Sequence, residues 1–231
     1  MELEDIEKLE RAERQQLAME LYNAGAIQFG AYQLKMHEEH PDAPLSPIYI
    51  NLRMPPKGVL TEETIEKIGT ALYEETLGLG IPFDHVVGLP KAGEPLARAF
   101  VKASGRKISL LRLKKEETER GRRILPVIHG KYNISESVLV IDDLITKADT
   151  KIEGIRALRY NGLAVNDCLV LVDHEQGGSE ELLRVNVKLH VVFTMSWLLD
   201  LYVFEGLIAP QKREEVIDYQ RKVEEYMQKN L

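Results

Sequence analysis

Apolar and polar residues recur along the chain with helical spacing in some segments and as short apolar runs in others. A first helix is predicted from about residue 3 to residue 24, where four apolar residues recur near helical spacing: Ile6, Leu9, Leu17 and Leu21. Residues 26–35 (AIQFGAYQLK) and 47–53 (PIYINLR) are typical of strands, and a polar loop containing proline joins them. A second helix is predicted from Thr61 to about Leu77.

The middle of the chain alternates between strands and helices. Short apolar runs predict four strands: HVVGL, KISLLRL, VLVID and DCLVLVD. Helices are predicted at LARAFVKAS, at about residues 150–160 and at the end of the chain, where Val216, Tyr219, Val223 and Tyr226 recur near helical spacing. Such alternation indicates an α/β fold with a mainly parallel central sheet flanked by helices.

Three loops follow the buried strands: PKAGE after the strand HVVGL, DDLITKAD after the strand VLVID, whose last residue it shares, and DHEQGG after the strand DCLVLVD, whose last residue it likewise shares. Open α/β sheets bind ligands at the carboxyl ends of their strands, so these loops are the predicted site. The segment KKEETERGRRI after KISLLRL is charged and non-periodic, and we predict an irregular mobile loop there.

Composition limits the possible functions. With 231 residues, 44% apolar and 29% charged, the chain is predicted to form a single domain over residues 1–231. Its N-terminal helix and strands occupy about 1–55, its core about 56–210 and its C-terminal helix about 211–231. The net charge of −7 argues against a nucleic-acid partner, and the single cysteine, Cys168, excludes a disulfide framework.

The first residues, MELEDIEKLERAERQQ, are too charged for a signal peptide, and no apolar run approaches the roughly 20 residues of a membrane span. We therefore expect a cytoplasmic protein without a membrane partner.

The segment VLVID ends with Asp142, and Asp143 follows it directly. These two acids are predicted to lie at the end of the strand. Their carboxylates suit two ligands, the hydroxyl groups of a ribose or a magnesium ion already bound to the ligand. The structural alternative is an acid pair that caps a neighbouring helix, and the residues alone leave both interpretations open. Thr150 and Glu153 match a capping box at the start of the next helix, whose first amides also attract anions.

The segment VLVIDDLITKADT, residues 138–150, resembles the phosphoribosyl pyrophosphate (PRPP) signature of type I phosphoribosyltransferases. Further segments are similar to the orotate phosphoribosyltransferases, including the domain found in UMP synthases: FGAYQLK, SPIYINLR, GLPKAGEPLA, LKKEETERG and VLVDHEQGG. The similarity covers roughly residues 20–210 and implies the type I phosphoribosyltransferase fold, with a small N-terminal hood region.

This resemblance implies transfer of ribose 5-phosphate from PRPP to orotate, which gives orotidine 5′-monophosphate and pyrophosphate. It also implies Mg²⁺ bound with PRPP, without direct protein ligands, and a homodimer in which the mobile loop reaches the neighbouring subunit's site. A basic mobile loop neutralises the leaving pyrophosphate and excludes water.

The resemblance also assigns roles to individual residues. Asp142 and Asp143 match the acids that hold the ribose hydroxyls, and Lys115 with Lys114 matches the basic pair that approaches pyrophosphate; Asp142, Asp143 and Lys115 are the expected catalytic residues. The remaining residues expected to bind PRPP are Lys35, Lys91, Ala92, Thr118, Leu144, Ile145, Thr146, Lys147, Ala148, Asp149 and Thr150. The residues expected beside the base are Tyr49, Ile50, Thr146 and His174.

Four positions depart from the family's pattern. Thr118 stands where the loop pattern K-E-x-K-x-x-G has its second lysine, and Ala148-Asp149 replaces residues of the pattern T-x-G-[GT]-[ST]. His174 stands where D-R-x-Q has its arginine. Two hypotheses follow: a working phosphoribosyltransferase for orotate or another base, or a homologue that has lost catalysis and binds a nucleotide or a protein partner.

Overall fold

Helices and strands alternate through most of the chain. The computed structural model describes residues 3–118 and 121–230. The helices of this part are α1 (Leu3–Asn23), α2 (Glu62–Leu79), α3 (Gly93–Ser104), α4 (Asp149–Tyr160), α5 (Gly178–Arg184), α6 (Met195–Phe204) and α7 (Pro210–Asn230). Its strands are β1 (Ile27–Tyr32), β2 (Ser46–Ile50), β3 (His85–Gly88), β4 (Ser109–Thr118), β5 (Gly121–His129), β6 (Ser137–Ile145), β7 (Ala164–Asp173) and β8 (Lys188–Thr194).

The apolar runs form a six-stranded sheet in the order β5-β4-β3-β6-β7-β8. The strands β4, β3, β6, β7 and β8 are parallel to their neighbours in this order, and β5 pairs antiparallel with β4. The register aligns Val87 with Val140 and Val140 with Cys168, so these strands end at the same edge. The prediction of an α/β fold with a mainly parallel sheet is therefore confirmed.

The chain divides into two compact units. Unit 1 comprises Met1–Thr61 and Ser196–Leu231, and unit 2 comprises Glu62–Met195. Unit 2 contains the six-stranded sheet with α2, α3, α4 and α5. Its bounds differ from those predicted for the core, about 56–210, and the single domain over 1–231 stays a prediction.

The core of unit 2 is formed by apolar side chains that alternate along its strands. Val138 and Val140 of β6 belong to one buried cluster with Cys168 of β7 and with Ile155 and Leu158 of α4. Alternation along a strand places every second residue on the same face, so this cluster covers the face of the sheet on which α4 packs.

The charged segment after Leu113 forms a hairpin, so the prediction of an irregular loop there is wrong. Strand β4 continues to Thr118, and β5 begins at Gly121, with Glu116 opposite Arg123 in the antiparallel register. The segment lacked the strand signal because polar residues occupy both of its faces, while backbone hydrogen bonds hold the pairing.

Unit 1 contains a two-stranded antiparallel sheet, β1 with β2, together with α1, α6 and α7. The hydroxyl of Tyr202 in α6 donates to the carbonyl of Ala18 in α1 at 3.0 Å, and Tyr22 donates to the carbonyl of Leu207 at 3.1 Å. No helix among residues 3–118 and 121–230 combines the length and the apolar character needed to cross a membrane.

Candidate functional site

The three predicted loops follow neighbouring strands at one edge of the sheet in unit 2. The amide of Leu89, after β3, donates to the carbonyl of Ile141 in β6 at 2.9 Å. The amide of His174, after β7, donates to the carbonyl of Ile145 at 2.9 Å. The sheet therefore brings the residues after β3, β6 and β7 together, as the sequence predicts.

Asp142 and Asp143 lie inside β6, because this strand continues to Ile145. The prediction that the two acids end the strand is wrong by two residues. Strand alternation sends their side chains to opposite faces of the sheet, and the residues are only 6% and 9% exposed. A buried carboxylate needs a partner, so the environment of each acid decides its chemistry.

Asp142 has a buried cationic partner that the sequence analysis missed. The Nζ atom of Lys151 lies 2.6 Å from Asp142 Oδ2 and donates to the carbonyl of Leu144 at 2.6 Å. Burial lowers the pKa of Lys151, but the charge of Asp142 and the hydrogen bond to it outweigh burial, so the net pKa is raised and the lysine is charged. The first turn of α4 thus neutralises one acid of the pair.

The spacing of residues along α4 indicates that Lys151 is buried. Lys151, Ile155 and Leu158 are spaced i, i+4 and i+7, and all three are buried on one face of α4. A lysine on the apolar face of a helix needs a carboxylate partner in the core.

Asp143 is buried in a different environment. Burial first, and then the charge of Asp142, raise the pKa of the Asp143 carboxyl to about 7, against the lowering effect of Lys151. Its Oδ1 atom accepts a hydrogen bond from the amide of Leu144 at 2.9 Å. Asp143 therefore gains and loses a proton near neutral pH.

The start of α3 packs tightly against the acid pair. A Cβ atom on Gly93 would lie 2.4 Å from the carbonyl oxygen of Ile141 and 3.1 Å from Asp142 Oδ1. Such a contact with backbone is too short for any side chain, so only glycine allows α3 to begin this close to β6.

The predicted phosphate loop, residues 146–150, connects β6 to α4. Ala148 is fully buried and precedes the helix, while Lys147, Asp149 and Thr150 are exposed. The amide of Ala148 donates to Glu181 Oε2 of α5 at 2.8 Å. A carboxylate thus lies against the loop that the resemblance assigns to a phosphate, a second contact that the sequence analysis missed.

The predicted capping box at Thr150 and Glu153 is wrong. Helix α4 begins at Asp149, with Ala148 as its N-cap residue and no side-chain cap. The Glu153 carboxylate instead accepts a hydrogen bond from the amide of Ile124 in β5 at 3.0 Å. Glu153 therefore bonds to a residue distant in the sequence and does not cap its own helix.

Lys115 joins the hairpin to the loop after β3. Its Nζ atom donates to the carbonyl of Pro90 at 2.7 Å, next to Lys91 and Ala92. Lys91 and Lys114 are exposed. Two segments that the resemblance assigns to pyrophosphate are therefore in contact, although they lie 25 residues apart.

Thr118 ends β4, and its side chain lies outside the described residues. The roles predicted for this end of the hairpin stay predictions.

His174 follows β7 directly. Burial first, and then the nearby charge of Lys151, lower the pKa of the His174 imidazole to about 4. The ring is therefore neutral at pH 7. A neutral imidazole contacts a carboxylate through a single hydrogen bond, whereas arginine offers a charged fork of donors.

Three predicted ligand-binding residues belong to unit 1. Lys35 begins a 3-10 helix, Lys35–Glu38, and Tyr49 and Ile50 lie in β2. The ring of Tyr49 lies 5.5 Å from that of Tyr32, measured between centroids. Their roles in binding PRPP and the base stay predictions.

No protein-family model matches the chain. An orotate phosphoribosyltransferase from Pyrobaculum islandicum is 32% identical over 196 residues, which are 84% of this chain and 93% of that protein. The uridine 5′-monophosphate synthase of Bos taurus is 30% identical over 211 residues, 91% of this chain and 40% of that protein.

Among solved structures, UMP synthase from Leishmania donovani matches with a TM-score of 0.73 and 28% identity, over 90% of this chain and 42% of that one. The chain thus spans about two fifths of the length of these two synthases. It spans 93% of the protein from Pyrobaculum islandicum.

Proposed function

Because the chain belongs to the orotate phosphoribosyltransferase family, we propose that it transfers ribose 5-phosphate from PRPP to orotate. The products are orotidine 5′-monophosphate and pyrophosphate, in a step of pyrimidine nucleotide synthesis. The observation that carries the proposal for this chain is the meeting of three loops at the carboxyl edge of β3, β6 and β7, where Lys115 contacts the loop after β3.

The proposed reaction breaks the bond between C1 of the ribose and the pyrophosphate oxygen, and forms a bond from C1 to N1 of orotate. Positive charge develops on the ribose while negative charge collects on the leaving pyrophosphate. Lys115, with Lys114 and Lys91, is proposed to stabilise that negative charge, because cations close to a leaving oxyanion lower the barrier.

Asp143 is proposed to hold the ribose hydroxyls. Asp142 is already neutralised by Lys151, whereas Asp143 has no such direct ion pair with this lysine. An ionised Asp143 accepts hydrogen bonds from hydroxyl groups, so we expect the ribose to favour its charged form. Asp143 is thus proposed to bind the ribose, while Asp142 pairs with Lys151.

The phosphate is proposed to bind the loop of residues 146–150, and the base to lie beside Thr146, His174, Tyr49 and Ile50. Lys147 is exposed on this loop and offers a positive charge. Lys35 is proposed as a further contact to PRPP.

Mg²⁺ is proposed to arrive bound to PRPP. Bound to the substrate, the ion would neutralise phosphate charge.

A homodimer in the cytoplasm completes the proposal. The resemblance implies that the hairpin of one subunit reaches the site of its neighbour, and the single cysteine fits a reducing compartment. Analytical ultracentrifugation tests this proposal. A dimer should have a mass near twice the 26.3 kDa of one chain.

The activity is tested by incubating the purified protein with PRPP, Mg²⁺ and orotate. Loss of orotate absorbance with matching formation of orotidine 5′-monophosphate supports the proposal, provided that omission of PRPP abolishes both. Turnover with another base but not with orotate would correct the substrate. A correctly folded protein without turnover on any base would overturn the proposal.

A further inference from the structure

The phosphate loop of the proposed site already holds an anion supplied by the chain itself. The amide of Ala148, at the centre of residues 146–150, donates to Glu181 Oε2 at 2.8 Å. Backbone amides of such a loop are the donors that phosphate oxygens use. The Glu181 carboxylate therefore occupies a donor that a ribose 5-phosphate would need.

Close packing of α5 against the loop fixes the position of Glu181. A Cβ atom on Gly178 would lie 2.5 Å from Ile145 Cγ1 and 2.8 Å from the carbonyl oxygen of Thr146, so the first residue of α5 touches the loop. Leu182, which follows Glu181, is fully buried in the core of unit 2. The loop on one side and the buried Leu182 on the other hold the backbone of α5 in place, so the Glu181 side chain starts within reach of the Ala148 amide.

The charges around the loop oppose a phosphate. Asp149, the first residue of α4, adds a second carboxylate next to Ala148 in the chain. A phosphate monoester carries a charge of about −1.5 to −2 at pH 7, so both acids repel it, and the exposed Lys147 offsets part of this repulsion.

We infer that Glu181 is a specificity-determining residue that competes with the 5′-phosphate for the Ala148 amide. A phosphoribosyl ligand binds when the Glu181 carboxylate leaves this amide, so the glutamate weakens affinity for phosphorylated ribose. This inference rests on the proposed function, because it takes residues 146–150 as the phosphate loop.

The substitution Glu181→Gln separates charge from hydrogen bonding. Glutamine keeps an oxygen that accepts from the Ala148 amide, but it carries no charge. The matched control is Glu180→Gln, which removes the same charge from the exposed neighbouring residue. Thermal unfolding of both variants verifies that they fold like the unchanged chain.

Ribose 5-phosphate is the probe, and isothermal titration calorimetry on the full chain gives its affinity. We expect Glu181→Gln to bind it about tenfold more tightly than the unchanged chain, and Glu180→Gln to differ by less than about twofold. In steady-state kinetics, Glu181→Gln should lower KM for PRPP and leave kcat nearly unchanged, because the 5′-phosphate stays bound in both the ground state and the transition state and gains equally in both.

Equal affinity of the Glu181→Gln and Glu180→Gln variants would overturn the inference, and so would weaker or absent binding to Glu181→Gln. If the proposed function is wrong, the affinity for ribose 5-phosphate and the turnover of orotate will disagree. Tighter binding by Glu181→Gln without turnover of orotate by any of the three proteins would support the inference and reject the activity.

Discussion

Lys151 Nζ and Asp142 Oδ2 lie 2.6 Å apart inside unit 2, and less than a tenth of either side chain is exposed. The lysine comes from the first turn of α4, where the helix dipole disfavours a cation. Asp142 and the carbonyl of Leu144 offset this cost and the cost of burial. The pair therefore joins α4 to β6 beside the loop of residues 146–148 that connects them.

Lys151→Met is expected to destabilise the protein by about 3–5 kcal/mol, since it leaves the Asp142 charge buried without its partner. Urea unfolding measures the loss. The control Arg156→Met removes an exposed cation from the same helix and should cost less than about 0.5 kcal/mol. The double variant Lys151→Met/Asp142→Asn should regain most of the stability; a double variant as unstable as the single one would contradict the account.

The pKa of Asp143 predicts how stability depends on pH. Its value of about 7 in the folded protein lies above the ordinary 3.8, so its contribution to stability is complete below about pH 4 and is lost as pH rises through 7. Asp143→Asn keeps the acceptor for the Leu144 amide but carries no charge. Urea unfolding should therefore show the variant gaining stability over the unchanged chain between pH 5 and pH 8, and a constant difference would contradict this prediction.

The contact between Lys115 and Pro90 predicts a selective effect on the rate. Lys115→Met should lower kcat about a hundredfold, because it removes a cation from the leaving group. The control Arg112→Met removes an exposed cation from the same strand and should change kcat by less than about twofold. Equal losses of kcat in the two variants would contradict a specific role of Lys115. They would mean that only the summed positive charge of the hairpin matters.

Thr118→Lys restores the second lysine of the family's loop pattern. We expect it to raise kcat by roughly tenfold, since general electrostatic stabilisation of a leaving group is worth a factor of this order or more. Glu116→Gln raises the net charge of the same strand by one, because it removes a carboxylate, and serves as the control without a new lysine. No gain with Thr118→Lys, or the same gain with Glu116→Gln, would refute the proposed role of this position.

The sequence predicted the sheet well because its strands are apolar on both faces. The run VLVI of β6 and the run CLVLV of β7 are buried against helices, and such runs stand out from their polar surroundings. It predicted the hairpin poorly, because residues 114–118 are all polar and so lack the alternation of apolar and polar residues that indicates a strand.

The meeting of the three loops was predicted from the sequence, but the contacts of their side chains were not. The loops after β3, β6 and β7 follow from the order of strands, which sequence patterns can indicate. The partners of Asp142 and Ala148 lie 9 and 33 residues away, and only the packing of α4 and α5 brings them together. Local spacing therefore assigned Glu153 to a cap, whereas the fold uses it to hold β5.

The central claim is tested most directly by the rate at which orotidine 5′-monophosphate forms from orotate, PRPP and Mg²⁺. The unchanged chain should form it at a rate well above that of Asp143→Asn, whose neutral side chain no longer offers a carboxylate to the ribose hydroxyls. Equal rates for the two proteins, with both of them folded, would contradict the account.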